Sequence, residues 1–244
     1  MRALLLLAAI AQTTTRVSVD AAGTQADFGN EHPVITPDGR YVAFTSAATN
    51  LGPVDTNGAT DIYRKDLSNG SVVLVSLAPG GVQANGSSIE PSISADGRYV
   101  AFFSDATNLT AFDSNGTFDV FLRDVVAGTT TLVSQAYGGV LTGNGASLQA
   151  CLSADGRFVA FYSVATDLVP LDLNGITADA FVFDRTTGTI ELASLDSAGN
   201  QGNGASYEPA TFTGPSAPSR SASSGLRAPW PFCPPSRTAR PSPW

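Results

Sequence analysis

Three stretches of this 244-residue sequence are versions of one segment, and this repetition constrains the fold more than any other feature. The segment reads HPVITPDGRYVAFTS at residues 32–46, EPSISADGRYVAFFS at 90–104 and QACLSADGRFVAFYS at 149–163. Acidic Asn-Gly turns (DTNGATD, DSNGTFD and DLNGITAD) recur with the same period, and so do NGSSIEP, NGASLQA and NGASYEP. Markers that repeat in one phase indicate a repeat architecture, in which each unit is one supersecondary element and neighbouring units share a core.

Each repeat is predicted to form four short strands. In the second repeat, the Asp-Gly pair at 96–97 is a hairpin signal between apolar runs, and RYVAFFS alternates as a strand does. A long loop through the Asn-Gly pair at 115–116 leads to DVFLRD, and an Ala-Gly turn at 127–128 leads to TTTLVS. No stretch of the sequence carries apolar residues at helical spacing over three turns. Four antiparallel strands per unit, repeated radially, describe the blade of a β-propeller.

The pattern SADGRYVAF, followed by D-x-N-G, DVF-x-RD and GTTTLVS, resembles the WD40-like propeller repeats of TolB-type proteins. The resemblance covers roughly residues 13–212. Together with the repeats it predicts an all-β fold of four-stranded antiparallel blades at about 33–76, 91–134 and 150–194, in an incomplete ring with partial strands at both ends. It does not define an activity, because propellers carry many functions and the residues of the site decide among them.

Both ends of the chain depart from the repeat. Residues 1–12, MRALLLLAAIAQ, have a basic start and an apolar run, which fits a signal peptide. The same residues align with a blade strand, so a displaced strand is the other interpretation. An apolar run of eight residues, 3–10, is too short to span a bilayer. Residues 213–244 are rich in Pro, Ser and Arg and lack acidic side chains, which predicts a disordered tail or the product of a late frameshift.

The charge of the chain argues against two classes of partner. All 21 acidic side chains lie within residues 1–208, and four of the 13 basic ones follow, so 9 basic side chains remain and residues 1–208 carry −12. Such a surface repels nucleic acid and anionic lipid, and no basic patch interleaved with aromatic residues offsets it. We therefore expect no nucleic-acid partner, and the shortness of the apolar run at residues 3–10 leads us to expect no membrane span.

Cysteine and histidine are too scarce for a disulfide framework or a histidine-based metal centre. The sequence has two cysteines, Cys151 and Cys233, and one histidine, His32. Cys151 takes the place of Ser92 in the preceding repeat, so we expect it to be a small buried residue. Nucleophilic catalysis lacks support, because the sequence has no G-x-S-x-G motif and a single imidazole.

The Asn-Gly loops are candidate sites for a hard cation. Asp55, Asn57 and Asp61 offer oxygen atoms at loop positions 1, 3 and 7 around a Gly at position 4, and Ca²⁺ prefers six to eight oxygen ligands. Asp66, at position 12, would lie about 17 Å from Asp61 along an extended strand and is not expected to join them. The alternative is that Asp and Asn-Gly serve only as turn residues. The candidate ligands are Asp55, Asn57, Asp61, Asp113, Asn115, Asp119, Asp172, Asn174 and Asp179.

A second candidate site is the residue just before each predicted first strand. The first strand of a propeller blade lines the central channel, so these side chains would ring the mouth of that channel. They would bind a ligand or an ion there, or else be solvated residues at loop ends. The four residues are His32, Glu90, Gln149 and Glu208.

Strand order places the elaborated loops on one face. The connections from strand two to strand three and from each blade to the next emerge at the same end and are long, whereas the opposite hairpins are tight. Binding residues tend to lie on elaborated loops of a rigid scaffold. We predict a non-enzymatic periplasmic or secreted propeller module that binds a protein or a glycan through this loop-rich face, with Ca²⁺ as its candidate cofactor. The alternative is a polysaccharide lyase or hydrolase with its site at the channel mouth.

Overall fold

The computed structural model describes residues 14–52, 55–139 and 141–207. These residues contain twelve strands, one 3-10 turn (Pro79–Gly81) and no α-helix, and thus no helix with the length and apolarity needed to cross a membrane. The segments 1–12 and 213–244 lie outside the described residues, as does Glu208. The strands are β1 (Asn30–Ile35), β2 (Tyr41–Ser46), β3 (Asp61–Asp66), β4 (Val72–Leu74), β5 (Ser88–Ile93), β6 (Tyr99–Ser104), β7 (Asp119–Asp124), β8 (Thr129–Leu132), β9 (Ser147–Leu152), β10 (Phe158–Ser163), β11 (Asp179–Asp184) and β12 (Thr189–Leu192).

The twelve strands form three sheets, each a meander of four antiparallel strands. We call them blade 1 (β1–β4), blade 2 (β5–β8) and blade 3 (β9–β12). Consecutive strands are neighbours in every blade, so each sheet is built from one sequence repeat. Cys151 is buried in β9, as predicted. The prediction of an all-β fold made of four-stranded antiparallel blades is confirmed.

The hydrophobic core lies between the blades. One cluster joins blades 2 and 3 and includes Leu122 and Phe161, and another joins blades 1 and 2 and includes Ile62 and Phe102. Blade 2 is therefore covered on both faces, and all six residues of β6 are buried. This explains why YVAFFS is an almost continuous apolar run rather than a strict alternation of apolar and polar residues.

The second and third strands of each blade contribute a stacked aromatic pair to this core. Phe102 and Phe121 lie opposite each other in the register of β6 and β7, with ring centroids 6.0 Å apart. Both side chains are fully buried, and burying one Phe side chain contributes about 1.5–3 kcal/mol. The corresponding pair in blade 3 is Phe161–Phe181, in the cluster between blades 2 and 3. The pair of blade 1, Phe44–Tyr63, lies in a third cluster formed by blade 1 and the residues next to it, such as Ala26.

The tight hairpins at the end opposite the loops share one set of contacts, and we call this end the hairpin face. In blade 2, Asp96 Oδ1 accepts hydrogen bonds from Ser94 Oγ at 2.6 Å and from the Arg98 amide at 3.0 Å. The Arg98 guanidinium forms an ion pair with Asp124, with Nη2 and Oδ2 2.7 Å apart. These contacts explain the recurring Asp-Gly-Arg element and the Asp that ends each third strand, and they place Asp124 at the end of the blade away from the Asn-Gly loops. The equivalent ion pairs are Arg40–Asp66 and Arg157–Asp184.

The first strand of each blade begins three residues before its predicted boundary, because it continues through a β-bulge. In blade 1, Asn30 pairs with Ser46 on one side of the bulge and Val34 pairs with Ala43 on the other. Blades 2 and 3 show the same irregularity. The expectation that loop-end residues precede the first strands is therefore wrong for His32, Glu90 and Gln149, which lie inside β1, β5 and β9.

Candidate functional site

The two kinds of long loop on the loop-rich face are bonded to each other. Asn57 Nδ2 donates a hydrogen bond to the carbonyl oxygen of Ala84 at 2.7 Å, and Asn57 Oδ1 accepts one from the Ala59 amide at 2.7 Å. The Asn of the Asn-Gly turn thus fastens the loop between strands two and three to the loop that leads into the next blade. The same bond joins Asn115 to Gly143 at 2.7 Å and Asn174 to Gly202 at 2.9 Å.

The first Asp of each loop shapes the turn. Asp55 Oδ1 accepts hydrogen bonds from the amides of Asn57 at 3.0 Å and Gly58 at 3.2 Å. Gly58 has a φ of 63°, a left-handed conformation that favours glycine. Asp113 and Asp172 make the corresponding contacts with the amides of Asn115 and Asn174. These observations support the turn role for this position.

A glutamine side chain bridges the two aspartates of the loop in blade 1. Gln83 Nε2 donates hydrogen bonds to Asp55 Oδ1 at 2.9 Å and to Asp61 Oδ2 at 2.7 Å. Gln83 Oε1 accepts a hydrogen bond from the Thr56 amide at 2.9 Å. We call this arrangement the glutamine clamp. It recurs in blade 3, where Gln201 Nε2 lies 2.8 Å from both Asp172 Oδ1 and Asp179 Oδ2.

The second Asp of each loop is a buried carboxylate held by a serine. Asp61 is 1% exposed, and its Oδ1 accepts a hydrogen bond from Ser76 Oγ at 2.6 Å. Burial raises the pKa of Asp61, while the hydrogen bonds from Ser76 and Gln83 act in the opposite direction. The same serine contact joins Ser134 to Asp119 at 2.8 Å and Ser194 to Asp179 at 2.6 Å.

Blade 2 lacks the glutamine clamp, because Thr142 occupies the position of Gln83 and Gln201. Thr142 Oγ1 accepts a hydrogen bond from the Ser114 amide at 3.2 Å, which replaces the acceptor half of the glutamine. Nothing in the described part of the chain replaces its donor half, and Asp119 Oδ2 is buried without a hydrogen-bond partner there. Burial raises the pKa of Asp119 to about 7, although the side chains of Ser134 and Asn115 act in the opposite direction, and the neighbouring Asp113 carboxylate adds to the increase.

The structure therefore brings the predicted cation ligands together as aspartate pairs. In blades 1 and 3 the amide of the clamp lies between the two carboxylates. The third loop, DLNGITAD, is one residue longer than the other two, but Asp179 still makes the same serine and glutamine contacts as Asp61. Across residues 14–52, 55–139 and 141–207, no three His, Cys, Asp or Glu side chains cluster as a metal site.

Three predicted channel residues share a strained backbone at the bulge of each first strand. His32, Glu90 and Gln149 have φ values of 49°, 52° and 51°, in the left-handed region that side chains other than Gly rarely adopt. His32 Nε2 lies 3.8 Å from Glu90 Oε1, so β1 and β5 bring these two side chains together. His32 Nδ1 and Gln149 Oε1 are buried without hydrogen-bond partners in the described structure. Backbone strain of about 1–3 kcal/mol per residue is typical of functional positions.

The loop-rich face also carries most of the exposed apolar side chains. Of the thirteen exposed large apolar residues that the described segments contain, nine lie in the Asn-Gly loops and in the loops that connect one blade to the next or lead into blade 1. Leu173 is 72% exposed and Ile176 is 83% exposed, both in the Asn-Gly loop of blade 3. The nine residues are Phe28, Val82, Phe112, Tyr137, Leu141, Leu171, Leu173, Ile176 and Leu195.

Sequence reasoning missed the residues that hold the aspartates. Gln83 and Gln201 occupy the same position of the repeat, and Thr142 is the exception between them. The serine that ends the fourth-strand motif recurs in the same way at Ser76 and Ser134. Aligning the repeats position by position, rather than by their turn motifs, would have marked both.

Comparisons with known proteins find similar folds. No family profile and no curated protein matches the chain. TolB from Acinetobacter baumannii is 19% identical with a TM-score of 0.40, and the match covers 73% of this chain and 35% of TolB. The β-propeller domain of the Trilobed protease from Pyrococcus furiosus is 13% identical with a TM-score of 0.43, and the match covers 67% of this chain and 41% of that domain. A putative TolB from Agrobacterium tumefaciens is 18% identical with a TM-score of 0.30, and the match covers 71% of this chain and 64% of that protein.

The matched region thus spans 35% to 64% of these three proteins. They include both TolB proteins and a protease domain, so the similarity concerns the propeller fold and leaves the function open.

Proposed function

We propose that the chain is a non-enzymatic β-propeller module that binds a protein partner through its loop-rich face. The observation that carries this proposal is the concentration of exposed apolar side chains on the loops of that face. Exposed apolar side chains that are grouped in the loops of a protein mark an interaction site more often than scattered single residues do. The hairpin face, by comparison, exposes Ile35, Leu67 and Val126.

The hydrogen bonds within the loops support a preformed binding surface. The Asn57–Ala84 bond and the clamp at Gln83 tie neighbouring loops together before any partner arrives. A surface that is already ordered loses less conformational entropy on binding, so more of the contact energy appears as affinity.

The residue types favour a protein over a glycan. The Asn-Gly loop of blade 3 exposes Leu171, Leu173 and Ile176, which are aliphatic and offer no hydrogen bonds. Aliphatic side chains gain most by burial against other apolar side chains. A sugar instead needs polar partners for its hydroxyl groups. The charge of −12 over residues 1–208 favours a partner whose contact surface is neutral or basic.

The proposal includes a periplasmic or secreted location. Its support is the MRALLLLAAIAQ segment at residues 1–12, under the signal-peptide interpretation. Determining the N-terminus of the protein recovered from expressing cells tests this part, because a signal peptide is removed and a blade strand is retained.

A matched pair of triple variants tests the binding face. The loop variant Leu171→Ser/Leu173→Ser/Ile176→Ser should lose a partner captured by the wild-type chain by tenfold or more. The control variant Ile35→Ser/Leu67→Ser/Val126→Ser, on the hairpin face, should retain it. Quantitative pull-down followed by a binding measurement on the purified partner gives the comparison. Equal retention by both variants would contradict the proposal.

The alternative, a polysaccharide lyase or hydrolase, is favoured by one observation. His32 and Glu90 combine left-handed backbone with close side chains, on strands that line the channel of a propeller. Turnover of a polysaccharide by the wild-type chain, lost in Glu90→Gln, would establish the enzyme. Absence of turnover across neutral and acidic polysaccharides would leave the binding module.

A further inference from the structure

The clamp position of blade 2 is unlike that of its neighbours, and the difference is chemical. In blades 1 and 3 a neutral amide donates to both aspartates of the loop. In blade 2 the shorter Thr142 supplies an acceptor to Ser114 and leaves the aspartates without that donor. A buried carboxylate oxygen without a partner is costly, so this position calls for a donor or a positive charge.

The orientation of the Asp119 carboxylate shows where that group would sit. Ser134 Oγ holds Asp119 Oδ1 at 2.8 Å, just as Ser76 Oγ holds Asp61 Oδ1 at 2.6 Å. Asp119 Oδ2 therefore faces the space that corresponds to the Gln83 amide nitrogen in blade 1. Asp119 is 0% exposed and this oxygen has no partner among the described residues.

We propose that blade 2 binds one hard cation of the Ca²⁺ type between Asp113 and Asp119, in place of the amide found in the other two blades. Asp119 Oδ2, the Asp113 carboxylate and Thr142 Oγ1 are the protein ligands. They are the oxygen donors that Ca²⁺ prefers. Asp113 is only half-buried, so water completes the coordination shell.

Charge favours a cation over a water molecule in this space. Asp113 and Asp167 both add negative potential at Asp119. A water molecule would satisfy the hydrogen bonds and leave that charge in place, whereas a cation offsets it. The inference concerns the interior of one loop and does not depend on the proposed protein-binding function.

Two reciprocal substitutions in the 244-residue chain test this site. Wild type should melt about 5–10 °C higher in Ca²⁺ at a hundredfold excess over Kd than in EDTA. Thr142→Gln, which restores the clamp, should abolish this Ca²⁺-dependent rise and melt in EDTA at or above the wild-type temperature. Gln83→Thr, which opens the clamp of blade 1, should create a second site.

Isothermal titration with CaCl₂ gives the stoichiometry of the same variants. The expected values are one Ca²⁺ for wild type, none for Thr142→Gln and two for Gln83→Thr. Asp119→Asn should also bind none, and Thr142→Gln remains the decisive variant if Asp119→Asn fails to fold. Wild type that melts identically in Ca²⁺ and EDTA, or Thr142→Gln that keeps the Ca²⁺-dependent rise, would overturn the proposal. Loss of Ca²⁺ binding with intact partner capture would leave the proposed function standing.

Discussion

At the scale of single residues, the glycines of the tight hairpins meet two requirements: a left-handed backbone, and in some hairpins a close contact with the neighbouring blade. Gly39 and Gly97 both adopt left-handed backbone, with φ values of 72° and 71°. A Cβ on Gly97 would lie 2.2 Å from the Tyr41 ring of the preceding blade, whereas a Cβ on Gly39 would meet nothing within 4 Å. Arg64 holds this contact in place, because its Nη1 donates to the Gly97 carbonyl oxygen at 2.5 Å.

The two glycines therefore predict different costs for the same substitution. Gly39→Ala should lower the free energy of unfolding by about 1 kcal/mol, from backbone strain alone. Gly97→Ala should lower the free energy of unfolding by about 1–3 kcal/mol more than Gly39→Ala does, because the methyl group overpacks the interface between blades 1 and 2. Urea unfolding of both variants measures the difference. Equal destabilisation would show that the tyrosine ring does not restrict this position.

At the scale of elements, the glutamine clamp joins two loops of different connectivity. Gln83→Glu replaces its donor amide by a third carboxylate beside Asp55 and Asp61. We expect the free energy of unfolding at pH 7 to fall by about 1–3 kcal/mol, the cost of an unsatisfied buried polar group. Gln135→Glu makes the same change of charge in the next interblade loop, where the glutamine makes one exposed hydrogen bond to Gly188, and should cost much less.

Thermal and urea unfolding of these two variants give the comparison. A Gln83→Glu variant as stable as Gln135→Glu would show that the clamp contributes nothing to the loops. The same result would also count against a cation in blade 2, because the proposed cation takes the place of the clamp amide.

The elements differ in how far the sequence predicts them. The strands follow from alternating apolar residues between Asp-Gly, Asn-Gly and Ala-Gly turns, all of which are local signals. The clamp is not local, because Gln83 reaches Asp61 and Asp55 across 22 and 28 residues and glutamine has no fixed role in a loop. The aspartate pairs were predicted as oxygen-rich positions, but the group that lies between them depends on a side chain from another loop.

The bulges of the first strands show a different limit. His32, Glu90 and Gln149 are three different polar residue types, and none of them is glycine, the residue that usually adopts left-handed backbone. Their left-handed backbone comes from the pairing of β1, β5 and β9 on both sides of the bulge. Because the sheet imposes this backbone conformation, the residue types at these positions do not reveal it. The prediction from the sequence therefore put these residues just before the first strands instead of inside them.

At the scale of the whole molecule, the ion pairs of the hairpin face predict the response to acid. The hydrogen bonds from Arg40 lower the pKa of Asp66, and those from Arg157 lower the pKa of Asp184. Burial opposes the shift at Asp124, but the bonds from Arg98 and from backbone amides lower its pKa as well. Each carboxylate is ionised more readily in the folded state than in the unfolded state.

A lowered pKa stabilises the fold above the unfolded value of 3.8, and this stabilisation is lost as the pH falls through the folded value. The melting temperature of the wild type should therefore fall as the pH is lowered from 5 to about 2. The variant Asp66→Asn/Asp124→Asn/Asp184→Asn should be less stable at pH 7 and should show a shallower acid decline. Burial raises the pKa of Asp61, so this group stabilises the fold at low pH in both the wild type and the variant. The informative quantity is therefore the difference between their two curves of melting temperature against pH. Parallel curves would contradict the role of the ion pairs.

Peptide-resolved hydrogen–deuterium exchange on the 244-residue chain is the most direct test of the central claim. That claim is that each sequence repeat forms one blade whose loops are held by internal hydrogen bonds. We expect three protected segments of one pattern, at residues 41–66, 99–124 and 158–184, with the central strand pairs slowest. Within them the Asn-Gly loops should exchange more slowly than free turns, because amides such as those of Asn57 and Ala59 are hydrogen-bonded to side chains. Protection that does not repeat with the sequence, or Asn-Gly loops that exchange at the rate of an unfolded peptide, would contradict the account.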